Sequence, residues 1–171
     1  MAYDHDTIEH DGAAFRVTLE HDDTHGAPWD EEDGHGPVSE WKRWREGQGV
    51  KPPKRAGERL LIWDRGSFRT YDMQAAIKQA KADGWDAAPY GGTHGERAAR
   101  AVEADFQRMR AWCNDEWHYV GVIVELLDDD GDTMGETASL WGIESDCADY
   151  IAEVAHELAD EVLHNLESRA A

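Results

Sequence analysis

Alternating and helical spacings of apolar residues divide this chain into elements before any other property is considered. AFRVTLE at 14–20 puts Phe15, Val17 and Leu19 on one face and Arg16, Thr18 and Glu20 on the other, the period-two pattern of a half-buried strand. ERLLIW at 58–63 and SFRTY at 67–71 flank Asp-Arg-Gly and read as a β-hairpin. WHYVGVIVELL at 117–127 is the most hydrophobic strand; Val120, Val122, Val124 and Leu126 fill one face, which predicts a central position in the sheet. Asp128-Asp-Asp-Gly-Asp132 is a turn with Asp130-Gly131 at its corner, and GETASLWGI at 135–143 returns as the partner strand.

Helical spacing takes over elsewhere. Asp72 is a good N-cap for a helix that stops at Gly84, with Met73, Ile77 and Ala80 on its apolar side. Thr93-His-Gly-Glu96 is a capping box, and the helix it opens carries a core-facing stripe of Ala99, Val102, Phe106, Met109 and Cys113. The last helix runs from about Asp146 to Ser168 and buries Ile151, Val154, Ala155, Leu158, Val162 and Leu166. The order β, ββα, α, ββα predicts an α+β fold: an antiparallel sheet of four or five strands with about three helices packed mainly on one face. Residues 1–12 are expected to be a disordered or loosely attached tail, and 13–170 a single domain interrupted by a long acidic-then-basic loop at 21–57. Within that loop, SEWKRWREGQGVKPPKR at 39–55 has Gly47, Gly49, Pro52 and Pro53, which argue for an irregular segment.

Charge changes the picture most. The chain of 171 residues carries a formal net charge of -20, and its distribution is uneven. Residues 1–35 sum to -10, 36–72 to +4, 73–113 to +1 and 114–171 to -15. Salt adaptation would spread acid over the whole surface, and a basic middle argues against it. Both ends repel nucleic acid and attract cationic surfaces, so direct nucleic-acid binding is disfavoured. The interleaved Glu40-Trp-Lys-Arg-Trp-Arg45 fits a contact with acidic surface better than a base-stacking site in such a field. No long apolar run predicts a membrane span, and the acidic start MAYDHDTIEH lacks the features of a secretory signal. Cys113 and Cys147 form no CxxC, so both are expected reduced, in a cytoplasmic protein.

Candidate chemistry is concentrated in HDDTHGAPWDEEDGHG at 21–36, with three histidines and six carboxylates. A metal site there would use His21, Asp23, His25 and His35, nitrogen and oxygen donors of the kind that hold a catalytic ion, with His118 a further ligand. Gly26 and Pro28 deny this segment the helical spacing of HExxH, which leaves a charged contact loop as the competing reading. The Asp128–Asp132 cluster fails as a calcium loop, because Thr133 and Ser139 stand where Gly and Glu are needed. His156, Asp160 and His164 share a helix face, but it lies opposite the buried stripe, where a catalytic metal would lack enclosure. No GxSxG, P-loop or dinucleotide fingerprint is present. Nothing calls for a cofactor.

GPVSEW at 36–41, GERLLIWDRGSFRTYD at 57–72, AIKQAKADGW at 76–85 and ETASLWGIESDCADYIAEVAHELADE at 136–161 resemble a group of uncharacterised small proteins encoded by phages and prophages. The resemblance covers about residues 13–165 and carries no catalytic residue or cofactor; it implies a phage accessory protein working in bacterial cytoplasm. Together with the charge map, the expectation is a non-enzymatic, DNA-mimicking inhibitor of a host DNA- or RNA-handling defence protein, of the restriction or CRISPR-effector kind. Its partner-binding residues would be Asp128, Asp129, Asp130, Asp132, Glu153, Glu157, Asp160 and Glu161. A metal-dependent hydrolase or nuclease built on the 21–35 loop, and a phage assembly or regulatory module, stand as alternatives.

Overall fold

The computed structural model describes residues 2–42, 56–63, 67–86 and 91–170. Its strands are β1 (Ala2–His10), β2 (Ala13–His21), β3 (Val38–Lys42), β4 (Glu58–Trp63), β5 (Ser67–Asp72), β6 (Tyr119–Leu127) and β7 (Thr133–Glu144). Its helices are the single turn α1 (Pro28–Glu31), then α2 (Met73–Asp83), α3 (His94–Cys113) and α4 (Ala148–Ala170). The α+β class and the antiparallel pairing are as expected, but the strands fall into two sheets, ordered β1-β2-β6-β7 and β3-β5-β4. α4 packs on β6 and β7 of the first sheet, and α2 and α3 pack on β4 of the second.

The chain forms two compact units. One is discontinuous, made of Met1–His25 and Trp117–Ala171; the other is Gly26–Glu116, inserted between them. The insertion falls between two hydrogen-bonded neighbours, since β2 pairs antiparallel with β6 from Phe15↔Leu126 to His21↔Val120. The segment 21–57 is therefore not one loop: it crosses a unit boundary and contains α1 and β3.

In the discontinuous unit, the alternation read from sequence is realised. Phe15 and Val17 of β2 and Val120, Val122, Val124 and Leu126 of β6 face α4, which returns Val154, Ala155, Leu158, Ala159 and Val162. Removing these side chains from water is the main stabilisation of this unit. The expected tail is instead β1. Asp11 and Gly12 have φ of 48° and 82°, the left-handed pair of a two-residue hairpin turn, and His10 pairs with Ala13 across it. Ile8 then packs against the core, which ties β1 down.

In the inserted unit, α2 and α3 pack on each other and on β4. Asp72 caps α2 by accepting from the amides of Gln74 and Ala75, and Gly84 closes it in the left-handed conformation. The Thr93–Glu96 capping box opens α3 as expected. The buried stripe of α3 starts at Ala98 in place of Ala99, because Ala98 leads Val102 and Phe106 by whole turns while Ala99 faces solvent. The segment expected to be irregular starts with β3, which pairs with β5 from Val38↔Tyr71 to Lys42↔Ser67. The rest of that basic stretch, and the Asp-Arg-Gly corner between β4 and β5, lie outside the described residues.

Candidate partner-binding surface

Charge follows the division into units. The discontinuous unit holds twenty-one acidic and two basic residues, a net -19, whereas the inserted unit is nearly neutral at -1. Both bases of the acidic unit are engaged. Arg16 donates to the Gly131 carbonyl at 3.2 Å, and Arg169 donates to both oxygens of Glu136 at 2.8 and 2.9 Å.

Two surfaces carry the expected partner-binding residues. On α4, Glu153, Glu157, Asp160 and Glu161 are all exposed. Asp149, Glu153, Glu157 and Glu161 follow one another at i+4, which stacks their carboxylates on one ridge at about 6 Å steps. On the β6–β7 turn, Asp128, Asp129, Asp130 and Asp132 are exposed. Asp128 has a second job: its carboxylate accepts from the amides of Asp130 and Asp132 at 3.0 and 2.9 Å, which holds the turn in shape. Asp160 also has a partner, accepting from His10 Nε2 at 2.6 Å.

Beside the turn the fold creates a feature that sequence could not reveal. A recess of about 610 Å³ is lined by the apolar Ala13, Ala14, Leu126, Met134 and Leu163 and by the acidic Glu9, Asp128 and Asp129. Met134 there is 58% exposed. Apolar and acidic groups side by side suit the aliphatic stem and charged head of an arginine or lysine.

The histidine-rich segment comes apart. His21, Asp23 and His25 belong to the discontinuous unit and His35 to the inserted one. Asp23 Oδ1 is 2.9 Å from His21 Nδ1, and the His21 ring stacks on His118 at 4.8 Å. His25 lies against the Tyr119 ring at 3.9 Å. Asp22, one of the carboxylates that a hard ion could use, instead organises this turn. It is buried, accepts from Thr24 N, Thr24 Oγ1 and His25 N, and reaches Gly142 N on β7 at 3.2 Å. The Thr24 hydroxyl above all holds its carboxyl below the usual range, against the opposing effect of burial. Among the described residues, the donor triads that converge closely enough to hold an ion are others: His10, Asp11 and Asp160, and Glu144, Asp146 and Cys147.

His35 takes part in a polar knot of the inserted unit. The carboxylate of Asp105 on α3 accepts from His35 Nδ1 at 2.6 Å, from Gly36 N at 2.8 Å and from the hydroxyl of Tyr71 on β5. Gly36 has no alternative here, since a Cβ would fall 2.2 Å from the Tyr71 oxygen. Hydrogen bonding to Asp105 raises the His35 pKa; burial opposes this, and the charges of Asp105 and Glu32 add to it. Burial foremost, then Asp105, pushes the Tyr71 hydroxyl far up. Protonated His35 is thus favoured by folding. Its contribution is complete below the unfolded value near 6.5 and is lost as pH rises through the raised folded value. Thermal melts of the protein between pH 6 and 9 are expected to show the inserted unit losing stability with rising pH, and His35→Gln to flatten that slope. A slope unchanged in the variant would assign it elsewhere.

Cys113 is buried at the end of the α3 stripe, and burial raises its thiol pKa, which suits the structural role expected of it. The described residues define an α+β protein of two compact units, one of them strongly acidic. No protein family, no curated protein and no solved structure matches the chain. No helix among the described residues is long and apolar enough to cross a membrane.

Proposed function

We propose that the discontinuous unit mimics the charge of nucleic acid and occupies the cationic, DNA-gripping surface of a host defence protein, of the restriction or CRISPR-effector kind. The chain then acts as an inhibitor in the cytoplasm of the infected host and catalyses nothing. The observation that carries this reading is the confinement of a net -19 to one unit while its insert stays near neutral. Solubility alone needs a far smaller charge, about 2–8 for a small domain, and gives no reason to segregate it.

Magnitudes support the comparison with DNA. Six carboxylates ride on α4 from Asp149 to Glu167, which is one per ~4.5 Å of helix axis. A single DNA strand carries one charge per ~3.4 Å. The recess with its acidic lining adds an anchoring point that a phosphate backbone lacks, and anchors of that kind concentrate binding energy. The resemblance read in the sequence to phage-encoded proteins motivates a defence protein as the target.

The test is capture from host lysate on the immobilised chain, followed by elution. Captured protein is expected to release when duplex DNA is added at fixed salt, and to weaken linearly in log affinity with log salt. A captured protein that holds duplex DNA and this chain at the same time would refute mimicry.

A further inference from the structure

We propose that His10 and His156, with Asp160 behind the His10 ring and Asp11 beside it, form a binding site for a divalent transition-metal ion of the Zn²⁺ class, which clips β1 to α4. This goes beyond the inhibitor reading and does not depend on it. Three observations converge. His10 Nδ1 and His156 Nδ1 lie 3.0 Å apart. Two nitrogens bound to one ion at 2.0–2.1 Å, with an angle between a right angle and a tetrahedral one, are about 2.9–3.4 Å apart. The pair therefore already has the spacing of two ligands on one centre.

The second observation is the carboxylate behind the ring. A carboxylate only accepts, so His10 Nε2, 2.6 Å from Asp160, carries the proton and leaves Nδ1 with its lone pair toward His156. A carboxylate that fixes the tautomer of a ligating histidine is the usual outer-shell partner of a metal site. The third is a neighbouring donor: a carboxylate oxygen of Asp11 lies within 4.8 Å of a ring nitrogen of His10. Asp11 is thus a further carboxylate on the His10 side, with water in the remaining positions.

The fold explains why these residues meet. His156 and Asp160 are one turn apart on α4 and share a face. The left-handed Asp11–Gly12 turn ends β1 at His10 and presents it to that face. Imidazole and carboxylate together select zinc, nickel or copper over calcium or magnesium, which prefer all-oxygen sets. Bringing two imidazoles to 3.0 Å within an acidic unit also gives the ion a favourable field.

The experiment titrates ZnCl₂ into chelator-stripped full-length protein by calorimetry and follows the melting temperature. One site per chain is expected, with a rise in melting temperature on saturation. His156→Gln, at an exposed position that leaves the metal-free fold intact, should weaken binding at least about tenfold, as should His10→Gln. His164→Gln, one turn beyond Asp160, should change nothing. Unaltered affinity in His156→Gln would overturn the proposal, as would displacement of Zn²⁺ by Mg²⁺ in modest excess, which marks diffuse attraction to acid. Loss of the site in His21→Gln, with His156→Gln unaffected, would move it to the 21–25 turn and overturn it equally.

Discussion

Asp105→Ala is expected to lower the stability of the inserted unit by about 3–5 kcal/mol, the range for breaking a buried charged network from one side. Its carboxylate is the common acceptor for His35 Nδ1, Gly36 N and the Tyr71 hydroxyl. Removing it orphans all three donors, and Tyr71 is fully buried. An unsatisfied buried donor costs ~1–3 kcal/mol, so three of them reach that range even if water relieves one. Asp105→Asn keeps one acceptor oxygen but turns an amide toward the other donors, and should fall between wild type and Ala. Tyr71→Phe removes only one of three donors and should cost about 1–2 kcal/mol. Urea unfolding gives the order, and hydrogen exchange locates it: protection should fall in peptides from 26–116. A cost below about 1 kcal/mol for Asp105→Ala would mean that water already serves these donors.

That knot also marks the boundary of what sequence can reveal. α3, α4 and β6 were legible because each carries its own period: the side chains that bury themselves lie three, four or two positions apart. Asp105 borders the apolar stripe of α3, between Val102 and Met109, but a lone carboxylate there reads as an ordinary solvated acid. Its partners stand 70 and 34 residues away, and nothing local announces them. The same holds for His10 and His156, which meet across 146 residues. On α4 alone, His156, Asp160 and His164 read as an exposed stripe; the ring that gives two of them a purpose comes from β1.

β1 was missed for a related reason. AYDHDTIEH offers one aliphatic residue toward the core, Ile8, and an edge strand is held largely by backbone hydrogen bonds, which leave no mark on side-chain pattern. The signal that was present is Asp11-Gly12, a strong hairpin dipeptide. The division into units was hidden too. Read in order, the five strands legible in the sequence look like one sheet, because β2 and β6 become neighbours only when the ends of 26–116 close on each other. Charge gave the one hint, since the basic middle of the chain is the part that the insertion contains.

Reversal of Glu153, Glu157 and Glu161 to lysine is expected to weaken partner binding about 10²–10³-fold while leaving the fold at least as stable. The three are consecutive members of the i+4 ridge, and all are exposed. Asp160 is left alone because it holds His10, and Asp149 because it lies in the first turn, where a carboxylate favours the helix dipole. The triple change moves the unit from -19 to -13. A cationic partner would then meet three like charges, a mismatch worth several kcal/mol, and each 1.4 kcal/mol is tenfold in affinity. Stability should hold or rise, since like charges at i+4 repel and the lysines break up a ridge whose neighbours stay acidic. The melting temperature therefore separates a lost contact from a lost fold. Glutamine at the same positions should give a smaller loss and a shallower salt dependence, because fewer ion pairs then form. Undiminished binding by the folded lysine variant would remove α4 from the interface and leave the Asp128–Asp132 turn and its recess to account for binding.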